Sequence, residues 1–422
     1  MPLDLSEMKA RWAADLKDSV LPFWLANSLD DLHGGYFTCL DHDGRVYDDT
    51  KYSWLQGRSV YMWSRMYLEG LDDYPTMREA ALKAAESGAQ RLDNSIDPAT
   101  GLLFFSTTRD FFTRLHLQRK PYAAVFYVQG CLEFWRTGKD TDDSYLRRAE
   151  TMFEKLEKWI ADPSLCGRPP VPAAVAGSTN LADIMCSASL SLDFLKALKG
   201  RWEKSSKSEE HYLEIIRRAM KGCERHFDTR SNNRNVFLES CSATGLSSET
   251  PAGRHFNPGH SLEVAWFLLL MCDAVGGSET HSKIALDVIS GSLNLGWDDQ
   301  YGGLFYMMDI EGEPLLDATV MADGKLWWPH TEALIACTLA YTITGEAKYL
   351  AWLQKVHDYS YSTFVDRNVE GGTEGTGEWF GYCNRDGTLA RTSKGGNYKG
   401  FFHVPRALLM CIQLVEAWEA SK

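Results

Sequence analysis

The sequence is short of basic charge. Its 422 residues carry 44 Lys and Arg against 57 Asp and Glu, which gives a formal net charge of -13. Nucleic acids and anionic membranes are bound through clustered Lys and Arg, so this balance argues against either of them as the main partner. A small-molecule partner fits the composition better.

Segments that export or anchor a chain are also missing. The N-terminus lacks a basic segment followed by an apolar run, and no window approaches about 18 uninterrupted apolar residues. Ten cysteines are scattered without a Cys-x-x-Cys pair, which indicates reduced thiols and argues against a zinc ribbon or a disulfide scaffold. We therefore expect a cytoplasmic protein that does not cross a membrane.

Cofactor motifs are absent as well. The chain has no Gly-x-x-x-x-Gly-Lys-Ser/Thr and no Gly-x-Gly-x-x-Gly sequence, so neither a P-loop nor a dinucleotide site is predicted. His260 and Glu263 could form part of a di-metal helix motif, but no second Glu-x-x-His and no His-x-x-x-His accompanies them, so we expect no metal. The basic turn 394–400 could hold a phosphate group or be an ordinary surface turn.

What the sequence does contain is a helical period. Apolar residues recur about every 3.6 positions and predict about twelve helices. The predicted ranges are 5–27, 54–69, 75–93, 122–137, 142–161, 180–199, 209–228, 258–275, 279–295, 329–344, 346–365 and 405–420.

Aromatic, glycine-rich segments between many of these helices are typical of short hairpins. They lie at 33–44, 101–105, 235–238, 301–306 and 378–387, with one weak or missing member around 167–170. Their regular spacing divides the chain, without a linker, into six units of two helices each. The pattern predicts an all-α fold, a toroid of six helical hairpins known as an (α/α)6 barrel, with short β-hairpins in its loops and residues 1–422 in one domain.

Ionisable groups collect at the starts of every second predicted helix. Successive helices of such a barrel alternate between two rings and run in opposite directions, so these starts are expected to converge on one mouth. Four of the helices open with a proline, at positions 121, 258, 329 and 405. The ionisable groups are Arg58, His260, Glu263, His330, Glu332, His403 and Arg406.

Each of these residues allows a functional and a purely structural interpretation. His260 follows the N-cap Asn257 and lies in a first helical turn, where the helix dipole favours a neutral, basic imidazole, but it could equally be a hydrogen-bonded core histidine. Arg406 at a helix start predicts an anionic or oxygen-rich partner, since the dipole disfavours a cation there. Arg58 could orient a ligand or form a salt bridge. Two adjacent tryptophans at 327–328 could stack on a sugar ring or anchor the core.

Five stretches of the chain, in order, resemble the animal N-acylglucosamine 2-epimerases, a family also known as renin-binding protein. They are residues 33–44, 51–58, 257–267, 325–334 and 399–406. The resemblance implies an (α/α)6 barrel, usually homodimeric, that interconverts N-acetyl-D-glucosamine and N-acetyl-D-mannosamine. It further implies ATP or a related nucleotide as an effector rather than a reactant. The older family name adds a renin-like protease as a candidate partner.

The resemblance also assigns roles to particular residues. By motif, the catalytic histidines are His260 and His403, the pocket acids are Glu263 and Glu332, and the substrate-orienting arginines are Arg58 and Arg406. We expect Tyr122, Trp327, Trp328 and His330 to bind the sugar with them. The nucleotide site stays unassigned because no motif carries it, and the role of segment 183–187 stays open.

The implied reaction needs such groups. Inverting C2 of a 2-acetamido sugar requires ring opening, removal of the proton beside the C1 aldehyde and return of a proton to the opposite face, which two bases facing each other across C2 would serve most simply. His260 and His403, with ordinary pKa values near 6.5, suit both tasks. Arg58 and Arg406 could stabilise the enolate oxygen, and a carboxyl group such as Glu332 or Glu263 could help open the ring.

Three alternatives stay open at the level of sequence. A cellobiose 2-epimerase or a mannose isomerase would use the same histidine pair with a different pocket around C2. A glycoside hydrolase on the same barrel would depend on two carboxylates instead. A protein-binding role would need a large apolar surface patch.

Overall fold

Thirteen α-helices occupy the part of the chain that the computed structural model describes, residues 4–117, 121–166, 179–228, 234–242, 250–315, 321–366 and 377–422. They are α1 (Leu5–Ala14), α2 (Leu21–Asn27), α3 (Ser53–Arg65), α4 (Pro75–Ala89), α5 (Tyr122–Arg136), α6 (Ser144–Ala161), α7 (Leu181–Leu198), α8 (Glu209–His226), α9 (Pro258–Ala274), α10 (Glu279–Gly296), α11 (Trp327–Thr344), α12 (Ala347–Thr363) and α13 (His403–Ala420). Among these described helices, none is long and apolar enough to cross a membrane.

The predicted helices are confirmed, with two informative differences. The first predicted helix is α1 and α2 joined by a wider, π-helical stretch, Asp15–Val20, and α3 likewise ends in a π-helical stretch, Met66–Gly70. Helices α11 and α13 begin two residues earlier than predicted. This earlier start places Trp327, Trp328 and His403 inside first helical turns rather than before them.

The helices form two rings, which confirms the (α/α)6 barrel. Helices α3, α5, α7, α9, α11 and α13 contact one another in succession and form the inner ring, and the remaining helices pack outside them. Trp63 of α3 stacks on Phe401, just before α13, with 4.0 Å between ring centroids, and this contact helps to close the ring. Inner helices such as α9 and α11 are buried on nearly every face, as a helix covered on all sides requires.

Fourteen short strands, all paired antiparallel, connect the units in the described residues. Two-stranded sheets are β1 (Cys39–Leu40) with β2 (Val46–Asp48), β6 (Thr179–Asn180) with β9 (Ser240–Cys241), β7 (Phe227–Asp228) with β8 (Val236–Phe237), and β10 (His255–Phe256) with β11 (Met308–Asp309). The three-stranded sheets are β3 (Lys51–Tyr52), β4 (Phe104–Thr107) and β5 (Arg114–Leu117), and β12 (Lys325–Leu326), β13 (Tyr382–Cys383) and β14 (Leu389–Arg391).

The predicted hairpins are confirmed only in part. The first and last segments each contain one strand, β1 and β13, whose hairpin partners β2 and β14 lie just beyond the predicted ranges. The segments at 101–105 and 235–238 contribute strands that pair with other parts of the chain, and at 301–306 Leu304 bridges back to Trp297. The sheets therefore link neighbouring helical units rather than standing alone. The weak member at 167–170 lies outside the described residues.

One aspartate in each of the six helical units follows the outer helix of that unit. Aspartates recur at nearly equal intervals along the chain, each shortly after an outer helix. They are Asp30, Asp97, Asp162, Asp228, Asp298 and Asp366. At three of them the aspartate carbonyl accepts a hydrogen bond of 2.7 or 2.8 Å from a glycine four residues on, Gly34, Gly101 or Gly302. These glycines have φ between 74° and 77°, which only glycine adopts without strain.

Two of these aspartates fix the starts of inner helices through buried ion pairs. Oδ2 of Asp30 lies 2.9 Å from Nζ of Lys51, just before α3, and 2.9 Å from Nε of Arg109. Oδ2 of Asp298 lies 3.0 Å from Nζ of Lys325, just before α11. Both lysines are fully buried, so losing one partner would leave an uncompensated charge, at a cost of about 3–5 kcal/mol. Each pair therefore holds one inner helix at the mouth of the ring.

Candidate active site

A cavity of about 790 Å³ lies where the inner helices begin, as the converging helix starts predicted. Its wall is largely aromatic. Eight of the ten predicted site residues line it, namely Arg58, Tyr122, His260, Glu263, Trp327, Trp328, His403 and Arg406. Glu332 and His330 do not.

His403 is the first residue of α13 and is held from behind by a carboxylate. Its Nδ1 lies 2.8 Å from Oε1 of Glu332, whose other oxygen accepts a 3.1 Å hydrogen bond from the indole of Trp266. Glu332 is fully buried and is not one of the residues that line the cavity. The sequence predicted a second acid in the pocket, but the structure places this carboxylate behind His403, at a distance at which it can orient the imidazole.

The surroundings of His403 favour its neutral form. Burial, followed by the nearby charges of Arg58 and Arg406, holds the pKa of His403 well below its usual value. With Nδ1–H donated to the carboxylate of Glu332, the lone pair lies on Nε2. His403 is thus a neutral imidazole with its basic nitrogen available to a ligand.

His260, the third residue of α9, has its own carboxylate. Its backbone N–H donates to the side chain of the N-cap Asn257 at 3.1 Å, and its Nδ1 lies 3.0 Å from Oε1 of Glu239. Burial alone would lower the pKa of His260, but the charge and hydrogen bond of Glu239 outweigh it and raise this pKa. The effect of Glu239 on this pKa is therefore opposite in sign to that predicted for the helix dipole.

Arg406 has the anionic partners that its position predicted. Its Nη2 donates to Oε1 of Glu263 at 2.7 Å and to Oε1 of Glu332 at 2.5 Å. One arginine therefore joins a carboxylate on the cavity wall to the carboxylate behind His403. This arrangement fixes the guanidinium beside the cavity and satisfies two buried acids at once.

Arg58 is held differently, by aromatic rings. Its guanidinium carbon lies 4.5 Å, 4.1 Å and 4.3 Å from the ring centroids of Trp54, Phe126 and Phe402. No carboxylate in the described part of the chain forms a salt bridge with it. Burial, and then repulsion by Arg406, lowers the pKa of Arg58 to about 9. At neutral pH it is therefore a cation on the cavity wall without a counter-ion among the described residues.

The predicted aromatic residues all reach the cavity. Trp328 contacts both imidazoles, with ring centroids 4.9 Å from His260 and 5.8 Å from His403. Trp327 lies 6.3 Å from His403, edge to face. The hydroxyl of Tyr122 donates to Asp183 of α7 at 3.3 Å, which assigns a contact to the segment whose role the sequence left open.

His330 belongs to the core rather than to the pocket. Its Nε2 accepts a 2.9 Å hydrogen bond from the backbone of Leu304, and its Nδ1 donates to the carbonyl of Leu326 at 2.6 Å. Its ring stacks on Tyr359 with 5.1 Å between centroids. Burial lowers the pKa of His330 to about 3, so it stays neutral. The structure therefore places His330 behind the cavity wall, with both ring nitrogens bonded to the backbone, and not among the lining residues where the sequence predicted it.

Glu239 is the site residue that the sequence analysis missed. The predicted hairpin 235–238 ended one residue before it, and β8 brings it beside α9. An acid directly after an apolar strand was a signal in the sequence, but it could not be distinguished from an ordinary turn residue. Only the pairing of distant segments identifies its partner.

The basic turn 394–400 does not offer its cations to a phosphate. The ammonium of Lys394 donates to Asp366 at 2.8 Å, and that of Lys399 donates to Glu378 at 2.8 Å. Both lysines are buried, at 0% and 1% exposure. Both cations of this turn are therefore engaged in buried ion pairs within the protein, and the turn does not fit a nucleotide phosphate.

A six-hairpin toroid with an aromatic cavity at one mouth defines a protein of the (α/α)6-barrel class. The chain shares this fold with the cellobiose 2-epimerase of Bacillus thermoamylovorans B4167, with a TM-score of 0.77 and 18% identity over 96% of this chain and 98% of that one. It is also similar to a D-mannose isomerase, with a TM-score of 0.75 and 17% identity over 96% and 97% of the two chains. At these identities the likeness shows the fold alone.

Sequence relatives identify the family. The sequence profile of the N-acylglucosamine 2-epimerase (GlcNAc 2-epimerase) family matches residues 241–407. N-acylglucosamine 2-epimerase of Bos taurus is 35% identical over 97% of this chain and 92% of its own length. That of Homo sapiens is 34% identical over 98% and 91%. The chain belongs to the N-acylglucosamine 2-epimerase family and is an epimerase.

Proposed function

We propose that this enzyme interconverts N-acetyl-D-glucosamine and N-acetyl-D-mannosamine by inverting C2 of the ring-opened sugar. The proposal is carried by two imidazoles that line the same cavity, His260 and His403. The surroundings of His260 raise its pKa, and those of His403 lower its pKa. Such a split is the usual mark of a general acid and a general base. The names of the relatives supply the substrate, and the site supplies the chemistry.

In this mechanism His403 is the base when catalysis begins from the resting state. Its Nε2 removes the C2 proton of the open-chain aldehyde, and the electron pair of the broken C–H bond passes into an enolate on C1, C2 and O1. His260, protonated beside Glu239, then gives its proton to the opposite face of C2. The two histidines end with exchanged protonation states, which is the starting state for the reverse reaction.

The enolate oxygen requires positive charge already in place. Arg58 has no counter-ion in the described part of the chain and Arg406 is fixed by two carboxylates, so both cations can face O1 without reorganising. Glu263 is the carboxylate of this group that lines the cavity. It takes the task of moving a proton between O5 and O1 during ring opening, since Glu332 is fully buried and does not line the cavity.

Hydrolysis fits this cavity less well. A glycoside hydrolase needs two carboxylates that flank the scissile bond. Of the two acids that the sequence assigned to the pocket, only Glu263 lines the cavity, and it is bound to Arg406. The site therefore favours proton transfer at carbon over glycoside hydrolysis.

The test is incubation of the purified protein with N-acetylmannosamine, with and without ATP, followed by proton NMR. Appearance of N-acetylglucosamine supports the proposal. Turnover of cellobiose or mannose while neither N-acetyl sugar reacts would identify a neutral-sugar enzyme instead. Release of ADP in step with product would contradict the effector role of the nucleotide.

Other implications of the family resemblance stay predictions. They are ATP or a related nucleotide as an effector, a homodimer, a cytoplasmic location and a renin-like protease as partner. No catalytic step above passes through the nucleotide. Light scattering of the purified protein measures the oligomeric state, and a pull-down with a renin-like protease tests the protein partner.

A further inference from the structure

We propose that the mouth of the cavity binds a second sugar ring, so that the enzyme also epimerises reducing disaccharides that end in N-acetylglucosamine or N-acetylmannosamine. This inference rests on the proposed function, because the reducing unit occupies the site described above. The added element is an outer shelf, which we define as the cavity-lining residues Trp54, Phe105, Arg391, Asn397 and Tyr398.

The cavity is larger than one amino sugar. An N-acetylhexosamine has about fifteen non-hydrogen atoms, and even at the ~30 Å³ that one water occupies in the liquid it would fill about 450 Å³. The cavity of about 790 Å³ leaves several hundred Å³ beyond that generous bound. The remaining space opens toward solvent at the mouth, where a second ring need not be fully enclosed.

The reducing sugar is oriented by the partners of its reacting atoms. Nη2 of Arg406 lies 3.4 Å from Nδ1 of His403, so one cation is adjacent to one of the two imidazoles. In the proposed mechanism C2 lies between the histidines and O1 faces the arginines. The far end of the sugar, with its C4 and C6 hydroxyls, then lies away from these groups and toward the shelf.

The shelf has the aromatic faces that a sugar ring stacks on. Tyr398 is 56% exposed, and its ring centroid lies 5.9 Å from that of Trp54 and 6.4 Å from that of Phe105. An aromatic face in a cleft combines apolar area with a polar rim, as a pyranose requires.

Two polar side chains of the outer shelf have no hydrogen-bond or ion-pair partner among the described residues. Within the part of the chain that the structure describes, the side chains of Asn397 and Arg391 make neither a hydrogen bond nor an ion pair, and the guanidinium carbon of Arg391 lies 5.2 Å from the ring centroid of Tyr382. Elsewhere on the cavity wall, Nη2 of Arg406 and Nδ1 of His403 are engaged by carboxylates. The free amide and guanidinium are therefore available to the hydroxyl and acetamido groups of a second unit.

The chemistry requires nothing new. Ring opening needs only a free C1 hemiacetal on the reducing unit, which a disaccharide linked through C4 keeps. The C2–H bond breaks and re-forms as in the monosaccharide, and the glycosidic bond is untouched. The product is a disaccharide whose reducing unit is the C2 epimer.

The probe is N,N′-diacetylchitobiose, with proton NMR of the reducing-end signals. We expect the wild-type enzyme to produce the disaccharide that ends in N-acetylmannosamine. Tyr398→Ala should lower kcat/KM for the disaccharide roughly fivefold to tenfold through the lost stacking and leave that for N-acetylglucosamine within about twofold. Tyr301→Ala removes a tyrosine that is 46% exposed away from the cavity and should change neither value.

Two results would overturn the inference while leaving the proposed function intact. One is turnover of N-acetylglucosamine without turnover of the disaccharide. The other is an equal loss for both sugars in Tyr398→Ala, checked against an unchanged circular dichroism spectrum. If the wild-type enzyme turned over neither sugar, the proposed function itself would fail, and the outer subsite with it.

Discussion

Oε1 of Glu239 lies 3.0 Å from Nδ1 of His260, and the same kind of contact joins Glu332 to His403 at 2.8 Å. The two pairs are alike in geometry but not in surroundings. The charges that act on His260 are chiefly those of carboxylates, whereas the cations of Arg58 and Arg406 also act on His403, which is buried as well. The same fold therefore raises the pKa of one imidazole and lowers that of the other.

The two histidines predict an asymmetric pair of variants. His260→Asn and His403→Asn should each abolish epimerisation, a loss of about a hundredfold or more, because inversion needs both an acid and a base. Each variant should still exchange the C2 proton of the one epimer that its remaining histidine faces. Deuterium oxide and proton NMR measure this exchange separately for N-acetylglucosamine and N-acetylmannosamine.

Asparagine keeps a polar group of similar size, so circular dichroism of both variants should match the wild type. Near-normal epimerisation by either variant, or exchange of the same epimer by both, would rule out two histidine bases. The mechanism would then need one histidine and the cavity carboxylate Glu263.

Glu239 predicts a change in pH dependence. It raises the pKa of His260, so His260 keeps its proton to higher pH, and the reaction direction that uses it as the acid falls as pH rises through that pKa. In Glu239→Gln this fall should occur at lower pH, and kcat above neutrality should drop roughly tenfold or more. The measurement is the kcat profile from pH 5 to 9, and Glu239→Asp should restore part of it.

A matched control exists on the protein surface. His281 and Glu224 form a contact of the same length, 3.0 Å, away from the cavity. Glu224→Gln should leave the profile unchanged. An unshifted profile in Glu239→Gln would mean that Glu239 supports the fold but does not set the protonation of His260.

His330 predicts an effect on stability without one on substrate binding. Its pKa is about 3 in the folded state and near 6.5 in an unfolded chain, so between these values the unfolded state binds more protons. Stability therefore falls on acidification below about pH 6.5, with a slope from this group of up to about 1.4 kcal/mol per pH unit.

His330→Asn should flatten that slope and lower the free energy of unfolding at pH 7 by about 1–3 kcal/mol, since one buried partner is left unpaired. Urea unfolding at pH 5, 6 and 7 measures both effects. Asp15 and Asp193, whose pKa values are raised to about 6, are present in both proteins, so they cancel in the difference. A rise in KM of the variant would instead support the sugar-binding role that the sequence suggested.

The single domain predicted over residues 1–422 implies one cooperative unfolding transition. Each inner helix packs against the next, and buried ion pairs such as that of Lys325 with Asp298 join the loops to the ring. Far-UV circular dichroism should be dominated by helix and should disappear in one step with heating, together with tryptophan fluorescence. Two well-separated transitions would indicate two independently folding units.

The architecture was predictable from the amino-acid sequence because the information for it is local and repeated. Apolar periodicity indicated the helices, and the regular spacing of the aromatic, glycine-rich segments indicated six units. Successive helices of the barrel run in opposite directions, so every second helix begins at the same end. This rule predicted that the helix starts converge on one mouth. Eight of ten predicted site residues reach the cavity for this reason.

Only the tertiary structure decided which of these groups face the cavity and which protonation state each prefers. His330 and Glu332 follow the same helix-start rule as their neighbours, but their side chains are buried behind the wall. Glu239 comes from a segment 21 residues before His260 and raises the pKa that the helix dipole was expected to lower. A pKa depends on burial and on charges within a few ångströms, and these come from segments far apart in the sequence.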